Sequence, residues 1–223
     1  SMTQPTIAID VLLEPDATMV AEAQAMNTRL LALFPKGFAL DATHRPHITL
    51  IQCFVASASL AALQAAVAEV FAQVDFTRLS LQATTTYHVP GGDVGLAGIV
   101  ADATPELLEL QQAITTAVSP FIVPMGTIEA FTADHGNPAL DAALIDYVAS
   151  FVDHHTGPHF SPHVSTGVAP IAELEAIDAE PFEPFAFAPV AAAVDQLGPF
   201  GTAARNLWRH QPPLTPSIRS SIS

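Results

Sequence analysis

Strand-like and helix-like hydrophobic patterns alternate along this chain of 223 residues. The run from Thr6 to Leu13 places every second apolar residue on one face, which is typical of a half-buried strand. Asp16 then precedes apolar residues at steps of three and four, which predicts a capped helix over 17–34. The chain contains no Gly-rich phosphate loop of the dinucleotide or P-loop type. We therefore predict an α+β fold of mostly antiparallel sheet, with a mixed parallel sheet as the alternative.

The other elements follow from the same two periodicities and from turn and cap residues. Pro90, Gly91 and Gly92 suit a hairpin turn, and Thr104 and Asn137 each precede a proline at a helix start. The predicted strands cover 47–55, 78–88, 93–101 and 162–169, and a last strand covers 190–197. The predicted helices begin at Ser57 or Ser59, at Thr104 and at Asn137. The last of these is predicted as one helix that continues to residue 152. We expect one domain over 1–210 and a flexible tail over 211–223.

The charge balance limits the partners of the chain. Seven Lys and Arg against 22 Asp and Glu give a net charge of −15, and this field repels polyanions such as long nucleic acids. Apolar residues make up 50% of the chain, which excludes disorder over most of it. No window holds the roughly 18 uninterrupted apolar residues of a membrane span. We expect a cytoplasmic monomer, with an exported form whose signal has been removed as the alternative.

Two short segments carry the same pattern of proline, histidine, aliphatic residue and hydroxyl residue. Pro46-His47-Ile48-Thr49 lies in the first half of the chain, and Pro162-His163-Val164-Ser165 lies in the second. In an extended strand, the histidine and the hydroxyl residue share one face. Two histidines, one neutral and one protonated near pH 7, supply the base and the acid that cleave a cyclic phosphodiester, and a hydroxyl can donate to a phosphoryl oxygen. The alternative is a pair of structural strand histidines.

The two segments resemble the paired signature of the 2H phosphoesterase superfamily. The segments 37–41 and 196–203 resemble its bacterial 2′,5′ RNA ligase-like branch, and the resemblance covers roughly 6–208. It implies two pseudo-symmetric lobes with outer helices around a central cleft. Thr166 departs from the family pattern, because an aliphatic residue is usual there.

The resemblance implies roles for the motif residues. His47 and His163 correspond to the acid and base residues of the family, and Thr49 and Ser165 correspond to its phosphate ligands. Arg45 is a further candidate phosphate ligand if the strand begins early enough, and the alternative is a solvated loop arginine. Tyr87 is a candidate for stacking on a base, or a rim aromatic without a ligand.

We therefore expect a metal-independent two-histidine phosphoesterase without a cofactor. Its expected substrate is a small 2′,3′- or 1″,2″-cyclic phosphate or a short oligonucleotide end. One alternative is a non-catalytic module that binds a nucleotide or another anion. Another is a zinc-dependent hydrolase that uses the histidines near Asp153, namely His154, His155, His159 and His163. The sequence does not show which histidine is the acid. It also does not show whether the reaction runs as a hydrolysis or as a ligation.

Overall fold

A computed structural model describes residues 4–213 of the chain. Its strands are β1 Thr6–Pro15, β2 Ile48–Ala56, β3 Leu81–Gly91, β4 Val94–Ala101, β5 Ile122–Val123, β6 His163–Pro170, β7 Phe185–Phe187, β8 Pro189–Leu197 and β9 Ala203–His210. Its helices are α1 Ala17–Leu33, α2 Leu60–Ala72, α3 Pro105–Val118, α4 Pro138–Ala149, α5 Phe151–His155 and α6 Ile171–Asp178. In this part of the chain no helix is both long and apolar enough to cross a membrane.

The strands form two separate antiparallel sheets. The first sheet has the order β5-β2-β1-β8-β9, and the second has the order β6-β4-β3-β7. Every pair of neighbouring strands in both sheets is antiparallel. The predicted α+β fold of two lobes with mostly antiparallel sheet is thus confirmed, and the alternative of a mixed parallel sheet is wrong.

One hydrophobic core joins the two sheets. It contains Ile9 and Leu50 from the first sheet and Ile99 and Val164 from the second. Helix α1 follows β1 in sequence but packs mainly against β6 of the other sheet. Its buried Asn27 donates hydrogen bonds to the backbone oxygens of Phe38 at 2.9 Å and Thr166 at 2.8 Å. This helix therefore fixes the position of one lobe against the other.

Local capping explains most of the element boundaries. The Asp16 carboxylate accepts from the backbone N–H of Met19, so α1 begins at Ala17 as predicted. Asp75 caps a short 3₁₀ turn in the same way, and β3 consequently begins at Leu81 instead of residue 78. The predicted helix over 138–152 is interrupted at Ser150, whose φ of −100° and ψ of 4° are not helical.

The strand over 190–197 is not the last one. The chain continues into β9, which pairs with β8 at the edge of the first sheet. Its sequence, Ala-Ala-Arg-Asn-Leu-Trp-Arg-His, lacks the alternation of a half-buried strand because much of this edge is exposed. In the predicted tail, residues 211–213 form no regular element, and 214–223 lie outside the described residues.

Candidate active site

Each motif strand carries a β-bulge directly after its hydroxyl residue. The pairing of β1 with β2 skips Leu50, which follows Thr49. The pairing of β4 with β6 skips Thr166, which follows Ser165. A bulge adds one residue to a strand, so residues three positions apart come to lie on the same face. The two lobes therefore share a distinctive backbone irregularity at the same position relative to their motifs.

The two bulged strands meet at one cavity of about 280 Å³. Its lining includes five of the six residues that the sequence analysis selected, namely His47, Thr49, Tyr87, His163 and Ser165. The motif residues lie 116 positions apart in sequence (163 − 47) and come from different sheets. The structure thus brings both predicted histidines to the same cavity.

The two imidazole rings are held in the same way. Nδ1 of His47 lies 2.8 Å from the backbone oxygen of Arg45, and Nδ1 of His163 lies 2.9 Å from that of Ser161. A carbonyl oxygen only accepts, so Nδ1 must be the donor in each ring. In each histidine, Nε2 is therefore the ring nitrogen that can transfer a proton. Whether Nε2 is protonated decides whether the histidine acts as an acid or as a base.

His47 lies beside a buried carboxylate. Its Nε2 is 3.2 Å from Oδ2 of Asp10, which is fully buried on β1. The same oxygen accepts hydrogen bonds from Thr49 Oγ1 at 2.7 Å and from Gln52 Nε2 at 3.1 Å. Burial by itself lowers the pKa of His47, but the charge and hydrogen bonding of Asp10 lead the opposing effects, and the pKa is raised overall. His47 is therefore suited to carry a proton.

His163 makes no such contact with a carboxylate of residues 4–213. Asp10 pairs with Gln52 across the first sheet, and the corresponding pair in the second sheet is Leu96 with Val168. Burial lowers the pKa of His163, and the charge of His47 adds to this effect. The hydrogen bond that Nδ1 donates to the backbone oxygen of Ser161 opposes it only in part, so the pKa stays below its ordinary value. His163 is therefore suited to accept a proton.

The family of the chain follows from comparisons with known proteins. A family model described as the 2′-5′ RNA ligase superfamily matches residues 15–198. The chain belongs to this superfamily. The match confirms the resemblance to 2H phosphoesterases that the two motifs indicated, whereas membership of the bacterial branch stays a prediction. A search of curated proteins finds no match.

Two solved structures are similar to this member of the superfamily. The crystal structure of TT0787 of Thermus thermophilus superimposes with a TM-score of 0.54, and the two sequences are 15% identical. The alignment covers 92% of this chain and 97% of that chain. The structure of Usb1 of Kluyveromyces marxianus is 10% identical with a TM-score of 0.41, covering 91% and 97% of the two chains. The first of these supports the fold.

Two tyrosines contribute phenol groups to the lining of this superfamily member's cavity. The ring of Tyr87 on β3 meets that of His163 edge-on, with centroids 5.2 Å apart. Tyr147 enters the cavity from α4. Burial raises the pKa of Tyr147 to about 12 and also raises that of Tyr87. Both phenols therefore stay protonated at neutral pH and can donate hydrogen bonds to an anion.

Arg45 does not line the cavity. It precedes β2, which begins at Ile48, and its guanidinium forms ion pairs with the fully buried Asp195 and, at 3.5 Å, with Glu14. Asp195 is also hydrogen-bonded by Asn206 Nδ2 at 2.9 Å. The guanidinium therefore neutralises the buried Asp195 and the partly exposed Glu14 instead of facing the site predicted for it.

The sequence analysis missed four polar residues of the site. Asp10 lies under the cavity, and Gln52, Tyr147 and His135 line it. A charged residue in the middle of the apolar strand β1 is unusual, and that signal was available for Asp10. His135 gave no such signal, because the backbone N–H that its Nε2 accepts belongs to Phe200, 65 residues later in the chain.

The histidine cluster near Asp153 does not form a metal site. Among residues 4–213, no group of three or more His, Cys, Asp or Glu side chains is arranged to hold an ion. His154 and His155 lie on the short helix α5, and His155 packs against Tyr147 with ring centroids 4.7 Å apart. The zinc-hydrolase alternative therefore lacks a ligand set in the described part of the chain.

Proposed function

We propose that this protein is a two-histidine phosphoesterase that opens a small cyclic phosphodiester by general acid–base catalysis. Membership of the 2′-5′ RNA ligase superfamily supports an enzyme that acts on phosphodiesters. The observation that carries the proposal is the shared cavity, into which separate sheets bring His47 and His163 with matched Nδ1 hydrogen bonds. Such a pair supplies both proton transfers that the reaction needs.

The different surroundings of the two rings support one assignment of their roles. His163, whose pKa is lowered, is neutral near pH 7 and takes a proton from the attacking water at Nε2. His47, whose pKa is raised, is protonated and gives a proton to the leaving ribose oxygen as its bond to phosphorus breaks. One proton enters the pair and one leaves it, so the phosphate monoester forms without a metal or a cofactor.

The hydroxyl groups have different tasks in this mechanism. No hydrogen bond within residues 4–213 engages the hydroxyl of Ser165, which lines the cavity and donates to a nonbridging phosphoryl oxygen. The phenol of Tyr87, beside His163, is a second donor to the phosphate. The hydroxyl proton of Thr49 is directed to Asp10 instead, so Thr49 positions the carboxylate that sustains the charge of His47.

A screen of cyclic phosphates with product identification by phosphorus NMR tests this function. The His47→Ala and His163→Ala variants should each lose about 100- to 10,000-fold in turnover, the usual contribution of a general acid or base. His154→Ala is the matched control, because this exposed histidine on α5 lies outside the cavity lining. A chelator should leave turnover unchanged.

Two outcomes would count against the proposal. Near-normal turnover by either cavity variant would show that its histidine is not part of the chemistry. A ligand that binds tightly but is recovered unchanged after long incubation would favour a non-catalytic binding module.

A further inference from the structure

We infer that the cavity selects a cyclic phosphodiester that carries no second phosphate, a nucleoside 2′,3′-cyclic phosphate with a free 5′-hydroxyl. This inference rests on the proposed function and narrows its substrate. It follows from the charges around the cavity and from the apolar character of the rest of the lining.

The cavity holds only one source of positive charge within the described residues. No lysine or arginine of residues 4–213 lines it. Arg45 is held by Asp195 and Glu14, Arg209 also contacts Glu14, and Arg29 pairs with Glu180. Among residues 4–213, the imidazolium of His47 is therefore the one cation available to an anion bound in the cavity.

The third histidine of the lining does not add a charge. Nε2 of His135 accepts the backbone N–H of Phe200 at 2.8 Å, and Nδ1 lies 2.8 Å from Oδ1 of Asp141. An accepting Nε2 carries no proton, so this ring is neutral in the structure and donates through Nδ1.

The buried carboxylate of Asp10 opposes a second phosphate. Asp10 is fully buried and has no lysine or arginine partner within residues 4–213, whereas Asp195, opposite it on the neighbouring strand, is paired with Arg45. Asp10 lies directly under the cavity, and the net charge of the whole chain is −15. One cyclic phosphate is matched by His47 and the neutral donors, whereas a further dianionic group meets a negative potential without a partner.

The rest of the lining suits an uncharged group. Side chains from β3, β4, α4 and the turn after β8 form it, and they include Val89, Val94, Leu96, Leu140, Leu144 and Phe200. The volume of about 280 Å³ lies at the small end of ligand cavities. A base and an unphosphorylated ribose fit these properties. A 1″,2″-cyclic phosphate, whose second ribose is joined through a pyrophosphate, does not.

Two substrates that differ only in the distal phosphate test the inference. Adenosine 2′,3′-cyclic phosphate and the same compound with a 5′-phosphate are compared by kcat/KM in the wild-type protein. We expect the unphosphorylated substrate to be preferred by at least about tenfold. Added salt should reduce this preference, because it screens the repulsion.

A charge added at the rim tests whether the selection is electrostatic. The test variant is Leu140→Lys, because Leu140 is 38% exposed and lines the cavity. The control is Leu33→Lys, because Leu33 on α1 is 39% exposed and lies outside the lining. Leu140→Lys should raise the relative kcat/KM of the 5′-phosphorylated substrate by about tenfold, since an added cation supplies the missing partner. The control should leave the ratio unchanged.

The outcomes separate this inference from the proposed function. Equal kcat/KM for the two substrates would overturn the inference and leave the phosphoesterase standing. A preference that Leu140→Lys does not change would overturn its electrostatic basis. If the wild-type protein turned over no cyclic phosphate at all, the proposed function itself would fail.

Discussion

Asp10 on β1 and Leu96 on β4 occupy corresponding positions in the two sheets. Asp10 pairs with Gln52 and Leu96 pairs with Val168, and each partner stands three residues after its motif hydroxyl. The first lobe therefore places a buried carboxylate beside its motif histidine, where the second lobe places an apolar side chain. A pseudo-symmetric scaffold thus gives two identical residues opposite pKa shifts, upward at His47 and downward at His163.

Replacing the carboxylate should shift one limb of the pH profile. The proposed acid, His47, must carry its proton, so turnover falls as the pH rises through its raised pKa. The proposed base, His163, must be neutral, so turnover falls as the pH drops through its lowered pKa. Asp10→Asn removes the charge that raises the pKa of His47, and the alkaline limb should move to lower pH, while the acid limb moves much less.

The pH dependence of kcat measures this shift. Asp178→Asn is the matched control, because this carboxylate pairs with His88 outside the cavity lining. An alkaline limb that stays in place in the Asp10 variant would show that His47 is not the acid.

The ion pair of Arg45 should contribute to stability more than to substrate binding. Arg45→Met leaves the buried carboxylate of Asp195 without its cation and should lower the free energy of unfolding by about 3 kcal/mol. Asp195→Asn in the same chain should recover part of this loss. Chemical denaturation gives the free energies, and steady-state kinetics of the folded variant gives KM. A large rise in KM with unchanged stability would instead support the phosphate contact predicted from the sequence.

The two motif hydroxyls should differ in their effects. Ser165→Ala removes a free donor and should lower kcat about 100-fold, with little change in stability. Thr49→Val removes the hydrogen bond to the buried Asp10 and should lower the free energy of unfolding by about 1–3 kcal/mol. Kinetics and denaturation of both variants check this contrast. Equal stability losses in the two variants would contradict it.

The contact of Tyr87 with His163 depends on Gly98. A Cβ at this position would lie 2.7 Å from Cε1 of Tyr87 and 3.0 Å from the backbone oxygen of Val164. Gly98→Ala should therefore displace the tyrosine and lower the free energy of unfolding by about 1–3 kcal/mol. Gly91→Ala is the control, because its new methyl group meets only a backbone oxygen at 3.9 Å. Thermal or chemical denaturation of both variants measures the difference, and equal losses would contradict the steric explanation.

The sequence predicted the parts of the site that depend on local pattern. The repeated motif, read with strand alternation, placed His47 beside Thr49 and His163 beside Ser165. The family resemblance then brought the two pairs to one cleft, and the structure places both at one cavity.

The parts that depend on long-range contacts were not accessible from the sequence. Regular alternation puts Thr49 and Gln52 on opposite faces, and only the bulge at Leu50 turns both toward Asp10. Asp195, which lies 150 residues after Arg45, holds the side chain predicted to bind phosphate. The difference in pKa between the two histidines therefore could not be predicted without the register of the strands.

A double-mutant cycle on kcat for the best cyclic phosphate tests the central claim most directly. If His47 and His163 act together in one proton-transfer mechanism, each alanine variant loses about 100- to 10,000-fold and the double variant loses little more than the worse single one. Losses that multiply in full, or a single variant that keeps wild-type turnover, would show that the two imidazoles do not work as a pair.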